Sequence, residues 1–260
     1  MKFFTNPFLK PSGDPERCHA VPAGTRIYAV GDIHGRYDLL ERLLDRIAVD
    51  AGAAAVDDNI LIMLGDYIDR GPQSREVIER LSGDPLPGFT TICLRGNHEA
   101  ALLDFFDSPS TLETWSMFGG RETLLSYGVP ADMLPPESRD TTAARDLFCK
   151  RLPTHHRAFF AGLSANAEIG DYIFVHAGLR PGVPVARQDE TDMIWIRHEF
   201  LQFKGDFGKK VVHGHTPVAQ PEVHVNRINV DTGAYYSNRL TCVVLEGTAH
   251  RFVTSGDPDR

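Results

Sequence analysis

NILIMLGDYIDRG, residues 59–71, joins an uninterrupted apolar run to a Gly-Asp turn and a short charged loop. A run of that length without polar alternation suits a strand buried on both faces, as in a parallel sheet. Beyond the loop, Val77, Ile78 and Leu81 form a helical stripe that ends near Gly83. The unit therefore reads strand, tight loop, helix. Working outward, RIYAVGDIHG (26–35) has the same form, followed by Leu39, Leu40, Leu43, Leu44 and Ile47 at helical spacing up to Gly52. FTTICLRGNHE (89–99) gives a third copy and runs on into an apolar segment from Ala100 to Phe106. The copies recur at intervals of about thirty residues, the size of a βαβ unit. In sheets built from such units the loops at the carboxyl ends of the strands gather along one edge. Three loops far apart in sequence are thus expected to become neighbours.

The remainder of the chain reads differently on either side of Asp171. Residues 107–161, with Trp115, Gly119, Gly120, three prolines at 130, 135 and 136 and short helical stripes, suggest an inserted, mainly helical segment that could serve as a lid or substrate wall. From DYIFVHAG (171–178) onward, KKVVHGHT, HVNRINVDTG, RLTCVVLEG and HRFVTS are short strands separated by turn residues, and a second sheet is expected from this half. Residues 1–25, with scattered prolines and glycines and no period, are expected to form a loosely ordered arm, and residues 26–255 a single catalytic domain.

Composition narrows the function classes. A net charge of -8 argues against a protein that binds long nucleic acid, which needs basic surface to displace counterions. It does not exclude a phosphorylated substrate, since metal ions and a few arginines can hold a phosphate locally. The four cysteines at 18, 93, 149 and 242 form no Cys-x-x-Cys pair, which predicts neither a zinc ribbon nor a disulfide framework and fits a reducing cytoplasm. No run reaches the ~18 apolar residues of a membrane span.

Asp32, His34, Asp66, Asn97, His176 and His215 all fall at or just after expected strand ends. Together they offer carboxylate, amide oxygen and imidazole donors, a set that suits manganese, with iron or zinc as alternatives, better than thiolate-loving metals. A carboxylate is the natural bridge between two cations, and Asp66 is the candidate. Two ions about 3.5–4 Å apart lower the pKa of water and clamp the oxygens of an in-line phosphoryl displacement, so no covalent phosphoenzyme is required. His98 follows Asn97 and can protonate the leaving group, with Asp69 orienting its ring. Arg70 and Arg95 flank the motifs and are suited to a phosphate clamp.

GDIHG (31–35), GDYIDRG (65–71), RGNHE (95–99), HAG (176–178) and GHT (214–216), in this order, resemble the signature of the phosphoprotein phosphatases, a branch of the calcineurin-like metallophosphoesterases. The resemblance covers roughly residues 28–247, and WSMFGGRETLLSYG (115–128) is similar to bacterial and phage members. It implies an α/β sandwich of two mixed sheets flanked by helices, with the metals at the sheet edge. It also implies that Asp32, His34 and Asp66 hold one divalent ion and Asp66, Asn97, His176 and His215 the other. His98 and Asp69 would be the acid pair, and Arg197 would be a third phosphate contact, although its surroundings depart from the eukaryotic pattern.

Isolated Gly-Asp or Gly-Asn pairs are ordinary turns and caps. Five such motifs in order, each after a strand, are not. His213, in HGH, remains open as an alternative ligand, a phosphate contact or a support for the ligands, because strand alternation places i and i+2 on one side. His19, His155, His156, His198, His224 and His250 lack such context and read as surface or hydrogen-bonded structural residues. The expected activity is dephosphorylation of phosphoserine and phosphothreonine proteins, with small phosphoesters as further substrates. The alternatives are a symmetrical dinucleoside tetraphosphate hydrolase and a non-catalytic binding protein on a phosphatase fold. The second alternative predicts a lost ligand, and every expected group is present.

Overall fold

Side chains that alternate between two apolar clusters along the strands of one sheet set the layers of the molecule, a computed structural model that describes residues 18–53 and 56–256. The first half contains β1 (Thr25–Val30), α1 (Tyr37–Ala53), β2 (Asp58–Met63), α2 (Ser74–Leu81), β3 (Phe89–Cys93) and α3 (Asn97–Asp107). These are the three strand-loop-helix units. The strands pair in parallel, β1 with β2 and β2 with β3. In β1, Tyr28 and Val30 enter a cluster beneath the helices, while Ile27 and Ala29 face a second sheet. β2 divides likewise, Leu61 and Met63 against Ile62 and Leu64. α1 closes the helical side with Leu39, Leu40, Leu43, Leu44 and Ile47, all buried. Each such side chain contributes about 1.5–3 kcal/mol by leaving water, before the entropic cost of ordering it.

The segment between Asp107 and β4 (Asn166–Ile169) holds α4 (Leu112–Met117), α5 (Gly120–Ser126), α6 (Thr141–Arg151) and α7 (Thr154–Ala161) and no strand. Trp115, Leu124, Tyr127, Phe148 and Phe160 of this segment are buried in the same cluster as α1. The insertion is therefore part of the helical layer, not a detached lid.

β5 (Tyr172–Val175), α8 (Glu190–Trp195), α9 (His198–Gln202), β6 (Lys210–His213), β7 (Glu222–Val223), β8 (Arg227–Asn229), α10 (Ala234–Ser237), β9 (Thr241–Glu246) and β10 (Ala249–Thr254) complete the chain. The sheets run β10-β9-β1-β2-β3 and β4-β5-β6-β8-β7, and both are mixed. The second half does supply the whole of the second sheet, and one expectation is corrected here: its last two strands, β9 and β10, join the first sheet instead. β9 returns to lie antiparallel beside β1, with Cys242 and Val244 under the helices and Val243 and Leu245 between the sheets. An apolar strand with both faces covered belongs inside a sheet, and the open side of β1 supplies that place.

Residues 1–17, most of the expected arm, lie outside the described residues. Residues 18–24 are tied to both sheets: Val21 N–H donates to the Gly247 carbonyl (3.0 Å) and Ala20 N–H to the Asp171 carboxylate (3.0 Å). Among the described residues no helix is long and apolar enough to cross a membrane, and the four cysteines are unpaired.

Candidate active site and metal centre

β1, β2 and β3 each end in the loop that carries a motif, which places Asp32 and His34, Asp66 to Arg70, and Arg95 to His98 side by side. β5 and β6 bring His176 and His215 to the same edge from the other sheet. The loops interlock. Ile33 and His34 donate their N–H groups to the Asp66 carbonyl at 3.0 and 2.9 Å. Gly65 has φ 106°, and a Cβ there would stand 2.7 Å from the Gly96 nitrogen, so the second and third loops meet only because this residue is glycine. Six described non-glycine residues have positive φ, and five of them are His34, Asp66, Asp69, Arg70 and His215. Such backbone is unfavourable for L residues and persists where the surroundings hold it, most often at a site.

Asp66 is buried between two groups of imidazoles. Its Oδ2 lies 3.6 Å from His34 Nε2 and 3.8 Å from His98 Nε2, and its Oδ1 lies 3.4 Å from His176 Nε2. His176 Nε2 is also 3.0 Å from Asn97 Oδ1 and 3.1 Å from His215 Nδ1. The Nδ1 atoms of His34 and His176 face the carbonyls of Ile68 (2.9 Å) and Leu64 (3.0 Å). A carbonyl only accepts, so each Nδ1 carries a proton and each Nε2 is left to face Asp66, the arrangement that orients metal-ligating histidines.

The electrostatics describe a pocket suited to cations. Burial, then Asp231 and Asp66, raise the Asp32 carboxyl well above its usual range, and burial lifts Asp231 to about 6. Burial lowers His34 to about 3 and His215 to about 2, so both are neutral donors. His176 is pulled down by burial but pushed up to about 9 by Asp66 and Asp32. Its Nε2 faces two oxygen acceptors, which is favourable only with a positive charge among them. Asp231 Oδ2 and His215 Nε2 are buried without a hydrogen-bond partner. Carboxylates, an amide oxygen and neutral imidazoles converging in this way fit divalent cations.

His98 stands at the rim of this cluster. Asp69 Oδ2 holds its Nδ1 at 2.6 Å, while Nε2 faces Asp66 and lies 3.3 Å from Arg70 Nη2. Two residues of the insertion fix Asp69 in turn: Trp115 Nε1 donates to Oδ2 at 2.7 Å and the Thr123 hydroxyl to Oδ1 at 2.6 Å. Neither contact was legible in the sequence, because 46 and 54 residues separate the partners. Glu99 was also missed. Its buried carboxylate accepts from the N–H groups of Asp66 (2.9 Å), Tyr67 (2.8 Å) and Gly96 (3.0 Å), and so splints the second loop to the third. A glutamate two residues into a helix, with a free N–H row before it, is the signal that could have revealed this.

Arg70 is half-buried, with its guanidinium 4.8 Å from the Tyr235 ring centre, and that ring also meets His34 edge-on. Arg95 pairs with Glu190, and Arg197 is exposed beside Thr216 (3.4 Å). His213 separates from the cluster. Its ring packs edge-on against Phe200 in the outer apolar cluster, and its Nδ1 meets its neighbour's carbonyl at 3.0 Å. Alternation fails at HGH because His215 takes a left-handed backbone, φ 63°, which turns its side chain away from that of His213.

The sequence pattern of the calcineurin-like phosphoesterases matches residues 25–247. Serine/threonine-protein phosphatase 2 of Escherichia coli K12 is 29% identical over 230 residues, 83% of this chain and 90% of that protein. A bis(5'-nucleosyl)-tetraphosphatase PrpE [asymmetrical] of Halalkalibacterium halodurans is 27% identical over 237 residues, 82% and 87% of the two chains. A solved structure assigned as a diadenosine tetraphosphatase superposes with a TM-score of 0.60 at 22% identity, covering 92% of this chain and 100% of that one, which speaks to the fold. With the match running from the first strand of the sandwich to the turn after β9, the chain belongs to the calcineurin-like phosphoesterases and is a phosphoester hydrolase.

Proposed function

We propose that the chain is a phosphomonoesterase that dephosphorylates phosphoserine and phosphothreonine in proteins by attack of water, with no phosphoenzyme. Asp32, His34 and Asp66 would hold one cation, and Asp66, Asn97, His176 and His215 the other, manganese in our reading. Bound there, the pair supplies Lewis acidity to the phosphoryl oxygens and lowers the pKa of water. The chain contributes the proton and the clamp. Burial alone would lower the His98 imidazole, but Asp66 and Asp69 outweigh it and hold its pKa above the ordinary value. With Nδ1 committed to Asp69, the proton for the leaving oxygen sits on Nε2. A protonated Nε2 cannot accept from Arg70, so that guanidinium is released toward a phosphate oxygen as His98 becomes acidic.

The observation that carries the substrate class is the groove opening from His98. It encloses about 290 Å³ between Trp115, Phe118, Ala101 and Trp195, and among the described residues Asp104 is its only carboxylate. No lysine or arginine among the described residues lines it. An apolar, faintly acidic channel suits the residues flanking a phosphorylated side chain, whereas a tetraphosphate chain needs cations along its path. The second reading, favoured by the PrpE relatives, is dinucleoside tetraphosphate hydrolysis of the asymmetrical kind. Manganese-reconstituted protein assayed on a phosphoserine peptide, an aryl phosphate and a dinucleoside tetraphosphate separates the two. The peptide should lead the dinucleotide in kcat/KM by at least about tenfold. The reverse order would establish the second reading in place of the first.

Arg70→Ala and Arg95→Ala are each expected to retain the bound metal and lose about 100- to 1,000-fold in kcat/KM, the usual cost of a charge-assisted donor to the transition state. Steady-state kinetics beside elemental analysis checks this. Unchanged kcat/KM in both variants would remove the clamp from the mechanism.

A further inference from the structure

A third convergence of ligand-bearing side chains lies outside the centre described above, on the outer helices. Glu79 projects from α2, and His155 and His156 from the first turn of α7. Both imidazoles point Nε2 at the same carboxylate oxygen of Glu79, at 3.1 and 2.9 Å. Consecutive helical residues diverge by roughly 100° around the axis, so adjacent side chains meet at one point only when both bend toward it. Here the two rings stand edge to face with centroids 4.5 Å apart.

The inner ring is also braced from behind. The Tyr127 hydroxyl lies 2.8 Å from His156 Nδ1, and both residues are buried. A phenol can accept as well as donate, so its oxygen can accept a hydrogen bond from Nδ1–H and keep the proton on that nitrogen, leaving Nε2 as a lone-pair donor, as partners of ligating histidines do. Burial lowers the His156 pKa, which favours the neutral ring a cation requires. Glu79 and His155 have side chains 61% and 51% exposed, which gives an ion entry and leaves room for water in the remaining positions.

We infer that Glu79, His155 and His156 form a binding site for a divalent cation of the zinc class, clipping α2 to α7 and independent of the catalytic pair. Two imidazoles and one carboxylate at a surface position are a zinc-type donor set, whereas calcium and magnesium call for oxygen donors throughout. The clip acts on a helix that matters to the reaction: α2 opens with Ser74, whose hydroxyl accepts from the Asp69 N–H at 3.1 Å.

The test is a zinc count. Metal-depleted wild type, His155→Ala and Glu79→Gln are equilibrated with a small excess of Zn²⁺, freed of unbound metal by gel filtration and analysed for zinc per chain. Their manganese-supported activities, measured separately, serve as the control for folding. Wild type should carry one zinc more per chain than either variant, with the three activities alike. Tyr127→Phe should keep the site but weaken it by about 10- to 100-fold, the usual effect of losing a partner that orients a ligand. Equal zinc counts in wild type and both variants would overturn the assignment. The exposed positions and the use of two separate helices guard against a folding defect being mistaken for a lost ligand.

Discussion

Asp66→Asn will bring kcat/KM down by a factor on the order of 10⁴ or more and will leave fewer than two metals per chain. The two carboxylate oxygens of Asp66 face different partners, Oδ2 toward His34 and Oδ1 toward His176. Burial by itself would raise this carboxyl, but the imidazoles of His176, His98 and His34 prevail and keep it well below its usual range. The group is thus a full negative charge in a dry place, and a position between two dications needs that charge. An amide of the same shape offers one oxygen and no charge. The substitution is also a fair test of chemistry, because the Asn oxygen can still accept from the His98 N–H, which Asp66 Oδ1 holds at 3.2 Å. Thermal unfolding of the chelated proteins measures the stability lost with the charge separately, since a carboxyl held this low by imidazoles stabilises the metal-free fold as well. Two metals per chain with near-normal turnover would show that Asp66 does not bridge.

The parts of this centre that were legible in the sequence share a physical reason. In each of the first three motifs the hydrophobic period changes from continuous to helical across a few polar residues, which locates a strand end. Parallel pairing then forces strand ends to a common edge. Asp32, His34, Asp66, Asn97 and His98 could be placed together on that basis alone. What could not be read depends on contacts that no local pattern encodes. TCVVLE (241–246) alternates in the same way whichever sheet it joins, so its return to β1 was hidden. Trp115 is fully buried, as its large apolar ring favours, yet its indole N–H is spent on Asp69, a contact its sequence position does not reveal. Asp231 lay in an unremarked VDTG turn, and only the fold shows that its carboxylate stands near enough to raise the Asp32 pKa. The Tyr235 ring reaches both His34 and Arg70 from α10, a helix of four residues with too little periodicity to be noticed.

His98→Asn should spare the metals and slow an alkyl phosphate such as phosphoserine far more than an aryl phosphate. Nε2 is the atom of the ring that faces the centre, and Asp69 fixes it there through Nδ1 at 2.6 Å. If that nitrogen protonates the departing oxygen, its value depends on how badly the oxygen needs a proton. A phenol has a pKa of about 10 and leaves as phenoxide with little help, whereas a serine alkoxide is far more basic. General acid catalysis contributes about 10²- to 10⁴-fold, so the peptide reaction should fall by an amount in that range and the aryl reaction by clearly less, provided chemistry limits both. Equal losses on the two substrates, with metal content intact, would assign His98 to holding the phosphate or its charge. A third outcome is made concrete by the geometry itself. His98 Nε2 lies 3.8 Å from Asp66 Oδ2, and His34, Asp66 and His98 converge closely enough to share an ion. Loss of a metal in the variant would make His98 a ligand, and the proton for the leaving group would then have to come from elsewhere in the site.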